Sequence, residues 1–119
     1  MDWNLSDGRP IWVQLHQQLT QRIATGMYPR GSRMPSVREL AAEAGVNPNT
    51  MQRALAQLEA DGLVTTNRTA GRTVTEDGHV LSRICMELAN EKIREYLKSM
   101  ALLGFSKDEA VDLLKQWEE

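Results

Sequence analysis

The sequence predicts a mainly α-helical chain with one small β-hairpin, arranged as a winged helix-turn-helix followed by two C-terminal helices. Three observations predict this fold class. Apolar residues recur at helical spacing along most of the chain, a short turn separates two such segments in its first half, and the pattern becomes β-prone for a few residues after Gly62. The first 76 residues therefore contain helix, helix, tight turn, helix and β-hairpin, in that order.

The composition is that of a globular domain with an appendage. The chain has 119 residues, of which 41% are hydrophobic, and this is enough for a packed core and too much for a disordered chain. We expect no membrane span and no secretion signal, because no apolar run is long enough for either. The single cysteine, Cys85, allows no intrachain disulfide, and we therefore expect the protein in the cytoplasm.

The charge of the chain is unevenly distributed. Residues 1–76 contain eight Arg, no Lys and seven acidic residues, whereas residues 77–119 contain six basic and nine acidic residues. The exclusive use of Arg in the first part is suggestive, since guanidinium groups suit phosphates and guanine edges. The asymmetry itself is mild, and an ordinary solvated surface would explain it equally well.

The first helix is predicted within residues 10–27. Its apolar stripe consists of Ile11, Leu15, Leu19 and Ile23 at i, i+4 spacing. Pro10 suits the first turn because its missing N–H would have no helical partner there. Residues 28–35 contain two Pro and one Gly, and they predict a turn-rich connector.

The second and third helices carry clear boundary signals. Ser36 and Glu39 form a capping box at the start of the second helix, and Gly45 is a natural stop at its end. Asn47 is a good N-cap for the third helix, with Pro48 as its first residue. The "AGVN" turn between the two helices is the helix-turn-helix pattern.

The remainder consists of a hairpin and two helices. "LVTT" and "RTVTE" predict the strands, with "NRTAG" as the tip between them. Helical spacing then runs from about residue 79 to residue 103, and Ser106 with Glu109 forms a second capping box for the last helix. The predicted inner face of that last helix consists of Ala110, Val111, Leu114 and Trp117.

The start of the third helix carries the candidate DNA-binding residues. In a helix-turn-helix, the N-terminal residues of the second helix of the motif enter the major groove. The polar face here comprises Asn47, Asn49, Thr50, Gln52 and Arg53, next to Pro48. Asn and Gln suit adenine, Arg suits guanine, and Thr suits phosphate or a thymine methyl, while Pro can pack on a sugar. Ordinary helix capping would also explain Asn-Pro, so the pattern alone leaves a protein-interaction winged helix open.

The predicted wing adds three residues to this candidate surface. Arg68 and Arg72 flank Thr69, Ala70 and Gly71 at the hairpin tip. A glycine at the tip allows the backbone to approach DNA closely, and arginine suits a phosphate or a narrow minor groove.

Residues 10–74 resemble the DNA-binding domain of the GntR family of bacterial transcription regulators. The resemblance is carried by "GSRMPSVRELA" and by "GVNPNTMxRALxxLExxGL". "VNPNT" and the short tail resemble the YtrA-like branch of the family, whose members lack a large effector domain and dimerise through two C-terminal helices. The resemblance implies a transcriptional regulator, and we expect a repressor that binds a near-palindromic operator as a homodimer.

The family's DNA contacts carry over by position. The resemblance implies that Arg38 reaches a base from the start of the second helix, that Ser36 meets phosphate and that Gly71 is the wing glycine. Residues 47–50 occupy the start of the recognition helix. Pro48 and Gln52 stand where many relatives carry Arg, so the base preferences of relatives do not carry over directly. The wing has fewer Gly than usual, and we expect its tip to sit differently.

The predicted division is a winged helix-turn-helix DNA-binding domain over residues 1–76 and a helical dimerisation segment over residues 77–119. The expected dimer interface comprises Leu81, Ile84, Cys85, Leu88, Leu97, Leu103, Leu114 and Trp117. The alternative is that the tail packs back on its own winged helix. Cys85 is expected to be a small buried hydrophobe rather than a redox sensor.

Other function classes find little support. No Gly-rich phosphate loop, no nucleophile-His-acid group and no metal spacing is present, so we expect neither an enzyme nor a cofactor. His16 and His79 are isolated in the sequence, and we expect no zinc site. The competing hypothesis is a winged-helix adaptor that binds protein without reading DNA. The sequence leaves open a small-molecule effector at the dimer seam.

Overall fold

The computed structural model describes residues 3–6, 8–69 and 71–118, and it confirms the predicted fold class. In these ranges the chain forms five helices and a two-stranded antiparallel sheet. The elements are α1 (Ile11–Ala24), α2 (Val37–Ala44), α3 (Pro48–Ala60), β1 (Val64–Asn67), β2 (Gly71–Val74), α4 (Gly78–Leu102) and α5 (Lys107–Gln116). None of the described helices is both long enough and apolar enough to span a membrane.

The helix boundaries follow the predicted caps. Ser36 Oγ accepts from the Glu39 N–H at 3.1 Å, while Glu39 Oε1 accepts from the Ser36 N–H at 3.3 Å. Ser106 and Glu109 repeat the same capping box in front of α5. Gly45 ends α2 at φ +70°, a left-handed conformation that glycine adopts without a steric penalty. Both predicted capping boxes are therefore confirmed.

The core of the winged helix lies between α1, α2, α3 and the sheet. Its fully buried large apolar side chains are Leu15, Leu19, Leu40, Met51, Leu55, Leu58, Leu63 and Val64. On α1 and α3 these residues repeat at helical spacing, so each of the two helices turns one apolar stripe inward. The polar start of α3 is thereby directed outward.

The sheet includes part of the connector that the sequence predicts as turn alone. β1 and β2 pair from Val64↔Val74 to Asn67↔Gly71. On the other edge of β2, Arg33 forms a bridge with Thr73, and the Met34 N–H donates to the Arg72 carbonyl at 2.8 Å. The segment before α2 therefore supports the wing along its outer strand.

An N-terminal arm, residues 3–6, lies along α1 and is held by two glutamine side chains. The Ser6 N–H donates to Gln14 Oε1, and Gln14 Nε2 donates to the Ser6 carbonyl, both at 2.7 Å. Gln18 makes the same reciprocal pair with the backbone of Asn4, at 3.1 and 2.8 Å. Each amide side chain supplies one donor and one acceptor, as a neighbouring strand would.

A buried arginine joins this arm to α1 and α2. Arg22 is 5% exposed, and its Nη1 donates to the Tyr28 hydroxyl at 2.8 Å and to Glu43 Oε1 at 3.2 Å. The Trp3 ring covers the guanidinium, with its centroid 3.8 Å from Arg22 Cζ, and Trp3 Nε1 donates to Glu43 Oε1 at 3.1 Å. The buried charge is thus paired and covered by an aromatic face.

The chain divides into two compact units, one ending at Cys85 and the other beginning at Met86. The sequence places the division between residues 76 and 77, where the helical pattern resumes. The start of α4 instead belongs with the winged helix, because Ile84 is 7% exposed and Cys85 Sγ donates to the Ala24 carbonyl at 3.5 Å. Cys85 itself is exposed in the single chain, and its burial in the expected dimer interface stays a prediction.

The second unit contains the remainder of α4 and α5. Tyr96 donates its hydroxyl to the Ala110 carbonyl at 2.7 Å, and Ala110 is fully buried. The helix α5 ends at Gln116, so Trp117 adopts extended backbone beyond it and is 71% exposed. Leu114 is also exposed, and the prediction that Leu114 and Trp117 line an inner face is wrong within this chain.

The contacts of the N-terminal arm lead to a prediction about stability. Trp3→Ala should lower the free energy of unfolding by about 1–2 kcal/mol, since it removes the aromatic face over Arg22 and one hydrogen bond to Glu43. Trp3→Phe keeps a ring over Arg22 and should lose less than half as much. Urea unfolding at fixed protein concentration measures both values. An Ala variant as stable as the original protein would contradict the docking of the arm.

Candidate nucleic-acid interface

The start of α3 presents a polar surface to solvent. Asn47, Pro48, Asn49, Gln52 and Arg53 are exposed, whereas the helix turns its apolar residues into the core. Thr50, also in the first turn, is half-buried. The predicted recognition-helix residues therefore lie together on one accessible face.

The side chain of Asn47 forms the N-terminal cap of α3. Asn47 Oδ1 accepts from the Asn49 N–H at 2.8 Å, as the predicted N-cap requires. This bond occupies one lone pair of the oxygen, and the amide nitrogen remains as a donor that Asn47 can offer to a ligand. Pro48 at the first helical position fixes the turn that aims Asn49 outward.

The start of α2 contributes Ser36 and Arg38, both exposed. Ser36 Oγ accepts the capping hydrogen bond from Glu39, so its O–H remains able to donate to an anion. Among the described residues, no carboxylate forms an ion pair with Arg38. Arg38 therefore retains its full set of guanidinium donors at the surface.

The wing tip is organised by an asparagine turn. Asn67 Oδ1 accepts from both the N–H and the hydroxyl of Thr69 at 2.9 Å, and Arg68 lies exposed between them. Gly71 has φ +74°, where a side chain would be strained. Ala70, the remaining residue of the predicted tip, lies outside the described residues.

Arg72 differs from Arg68 in having an acidic partner. Arg72 Nε lies 3.0 Å from Glu59 Oε1, and the Thr66 hydroxyl donates to the same oxygen. The hydrogen bond from Thr66, assisted by the hydrogen bond and charge of Arg72, holds the pKa of Glu59 below its ordinary value against the opposing effect of burial. Because Glu59 belongs to α3, this cluster ties both strands of the wing to the recognition helix.

Two features of the interface escape the sequence analysis. Arg33 is exposed, and its Nε lies 3.7 Å from the position that a Cβ on Gly71 would occupy, so its side chain lies against the wing glycine. Trp12 of α1 stacks on Arg53, with 4.3 Å between its ring centroid and Arg53 Cζ. The alternation "GSRMP" could have indicated an edge strand carrying Arg33, whereas no local signal pairs residues 12 and 53.

His16 on α1 pairs with Asp61, the C-cap residue of α3. His16 Nε2 lies 2.6 Å from Asp61 Oδ2, and Gln57 Nε2 donates to Asp61 Oδ1 at 3.0 Å. His16 therefore links α1 to the end of α3, a long-range contact that its isolated position in the sequence does not reveal. Within the described part of the chain, no three His, Cys, Asp or Glu side chains lie together as a metal ion would need.

Comparisons with known proteins agree with this geometry. The sequence model of the bacterial regulatory proteins of the gntR family matches residues 13–74. The HTH-type transcriptional regulator YhcF of Bacillus subtilis is 32% identical over 119 residues, which cover all of this chain and 98% of YhcF. The HTH-type transcriptional repressor YtrA of the same organism is 31% identical over 108 residues, covering 91% of this chain and 81% of YtrA.

A solved structure extends the similarity to the complete fold. A GntR family transcriptional regulator from Listeria monocytogenes superposes with a TM-score of 0.86 at 33% identity, covering 96% of this chain and 100% of the other. The family match takes in more than half of the chain, and it includes α2, α3 and the wing. The resemblance predicted from the sequence is confirmed. The chain belongs to the gntR family of bacterial regulatory proteins and is a transcriptional regulator with a DNA-binding winged helix.

Proposed function

We propose that this protein represses transcription by binding a near-palindromic operator as a homodimer. The observation that carries the proposal is the exposed polar start of α3, flanked by arginines that have no acidic partner among the described residues. A helix of this kind places its first residues against base edges in the major groove. The relative YtrA is named a transcriptional repressor, and this supports the sign of the regulation.

The arginines divide into two groups by their partners. Arg22 and Arg72 each pair with a glutamate and contribute to the fold. Arg38 and Arg68 are exposed without such a partner, so their charge is available to a polyanion. We assign base reading to Arg38, which resembles the family's groove-facing arginine, and phosphate contact to Arg68 at the wing.

Dimerisation is inferred from the second unit. Leu102 is 83% exposed and Leu103 is 72% exposed, although both are large apolar residues. Met86, Ile93, Phe105, Leu113, Leu114 and Trp117 are exposed as well. So large an exposed apolar surface on a short segment favours its burial against a second copy of the chain. A dimer with two-fold symmetry would bind two half-sites of opposite orientation.

The expected interface residues contribute unequally to this proposal. Leu103, Leu114 and Trp117 are exposed and carry it, and Leu81, Leu88 and Leu97 are half-buried. Ile84 is buried within the first unit and offers a partner little surface, while Cys85 is exposed.

Selection of binding sites from a random double-stranded DNA pool at ~150 mM salt tests the proposal, because non-specific phosphate binding is weak at that concentration. The expected product is an inverted repeat whose half-sites lie about one helical turn apart. A single half-site without a repeat would overturn the dimer. If the folded protein enriched no sequence from the pool, sequence-specific DNA binding would be overturned, and the alternative of a protein-binding adaptor would be favoured.

The roles of Arg38 and Arg68 predict different effects on binding. Arg38→Ala should weaken operator binding by about 1–3 kcal/mol and relax the preference at one base pair. Arg68→Ala is the matched control, and it should weaken operator and random duplexes alike while reducing the salt dependence. Fluorescence anisotropy titrations over a range of salt concentrations measure both effects. If Arg38→Ala lost the same affinity for operator DNA and for random DNA, Arg38 would have no role in base reading.

The attachment of the wing to α3 predicts a pH-dependent stability. The pKa of Glu59 is lowered below its ordinary value of 4.5, so the charged carboxylate stabilises the folded protein above that pH. The contribution is lost as the pH falls through the lowered pKa. Glu59→Gln should therefore be less stable than the original protein at neutral pH, and the difference should narrow below pH 4.5. Urea unfolding across this range measures it, and a difference independent of pH would contradict the role of the charge.

A further inference from the structure

We infer that Trp12 is a positioning residue of the DNA interface, which holds the guanidinium of Arg53 in place to bind a backbone phosphate. The inference rests on the proposed function, and it assigns a role to a residue of α1, outside the helix-turn-helix and the wing. The observation behind it is the stack between Trp12 and Arg53, with 4.3 Å from Arg53 Cζ to the ring centroid. This lies well within the ~6 Å over which an aromatic face attracts a cation.

The kind of partner distinguishes Arg53 from the arginines that serve the fold. Arg22 also lies on aromatic rings, but it is buried and pairs with Glu43. Arg53 is exposed, and among the described residues no carboxylate forms an ion pair with it. A neutral ring orders the side chain without cancelling its charge, so Arg53 keeps its attraction for an anion.

Stacking also leaves the hydrogen-bonding capacity of the guanidinium intact. The N–H groups lie in the plane of the guanidinium and point away from its edge, and the indole ring offers them no carboxylate to pair with. Two parallel N–H donors on that edge match two oxygens of one phosphate. An arginine that is already ordered loses less side-chain entropy on binding than a free one.

The position of Arg53 on α3 favours a phosphate over a base. The helix begins at Pro48, and its first turn contains the residues expected to reach base edges. Arg53 lies in the second turn, and its guanidinium lies over the ring of Trp12 at the start of α1. Contacts from such flanking positions orient a recognition helix on the duplex and carry no sequence information.

A double-mutant cycle on the full chain tests the inference. The probes are a duplex with the site recovered from the random pool at ~150 mM salt, and a random-sequence duplex at ~50 mM salt. Trp12→Leu should weaken the binding of both duplexes about threefold, which corresponds to the loss of one exposed cation–π contact. Arg53→Ala should weaken the binding of both duplexes about tenfold and reduce the salt dependence of the affinity. In the Arg53→Ala background, Trp12→Leu should have no further effect.

Matched controls separate positioning from a general effect on folding. Trp12→Phe keeps an aromatic face and should recover most of the lost affinity. Trp12→Leu combined with Arg38→Ala should show the product of the two single losses, since Arg38 lies on α2 and takes no part in the stack. If Trp12→Leu does not fold, the cycle is completed with Trp12→Met, which also removes the aromatic face over Arg53, and the same loss of coupling in the Arg53→Ala background is expected.

Three outcomes would overturn the inference. Trp12→Leu could leave the affinity unchanged, or it could weaken binding equally with and without Arg53, and in either case Trp12 would not act through that arginine. A loss confined to the selected duplex would mean that Arg53 reads a base rather than a phosphate. If the protein without substitutions bound neither duplex, the proposed function itself would be overturned. If it bound DNA but the effects of Trp12 and Arg53 were not coupled, only the role of Trp12 would be overturned.

Discussion

The Glu59 carboxylate on α3 is the contact on which the geometry of the interface depends. It accepts from Thr66 on β1 and pairs with Arg72 on β2, so one side chain fixes both strands of the wing to the recognition helix. A winged helix that reads DNA must present its helix and its wing at a constant separation. Here an ion pair that is partly shielded from water supplies that constraint.

The rest of the surface follows from how the acidic residues are distributed. A formal net charge of −2 looks unsuited to a polyanion ligand, yet affinity depends on the local field rather than on the total. Glu43 and Glu59 each neutralise one arginine that has a structural role. Arg38, Arg53 and Arg68 remain exposed without an acidic partner in the described structure, and the chain thereby concentrates positive charge where α2, α3 and the wing meet solvent.

The sequence predicts those structural features that depend on residues close together along the chain. The partners in each capping box are three residues apart, and the partners in the Asn47 cap are two residues apart. The left-handed conformation of Gly45 depends on that residue alone. Each of these features can therefore be predicted from the sequence without knowledge of the fold. The stack of Trp12 on Arg53 and the pair of Arg22 with Glu43 join residues on different helices, and only the packing of those helices reveals them. Periodicity likewise identifies an apolar face without saying what covers it, so it does not foresee the exposure of Trp117.

The glutamine contacts of the N-terminal arm impose an unusual pattern on sequence variation. In their reciprocal pairs Gln14 and Gln18 bind main-chain atoms of Ser6 and Asn4, so most side chains are tolerated at positions 4 and 6, although the Ser6 hydroxyl adds a long hydrogen bond of 3.5 Å to Gln14 Oε1. Proline is the exception, because it lacks the N–H that each amide oxygen accepts. The glutamines themselves have no equivalent replacement, since glutamate would lose the donor and leucine both groups. Related regulators that keep this arm should therefore retain an amide at both helix positions while the arm itself diverges.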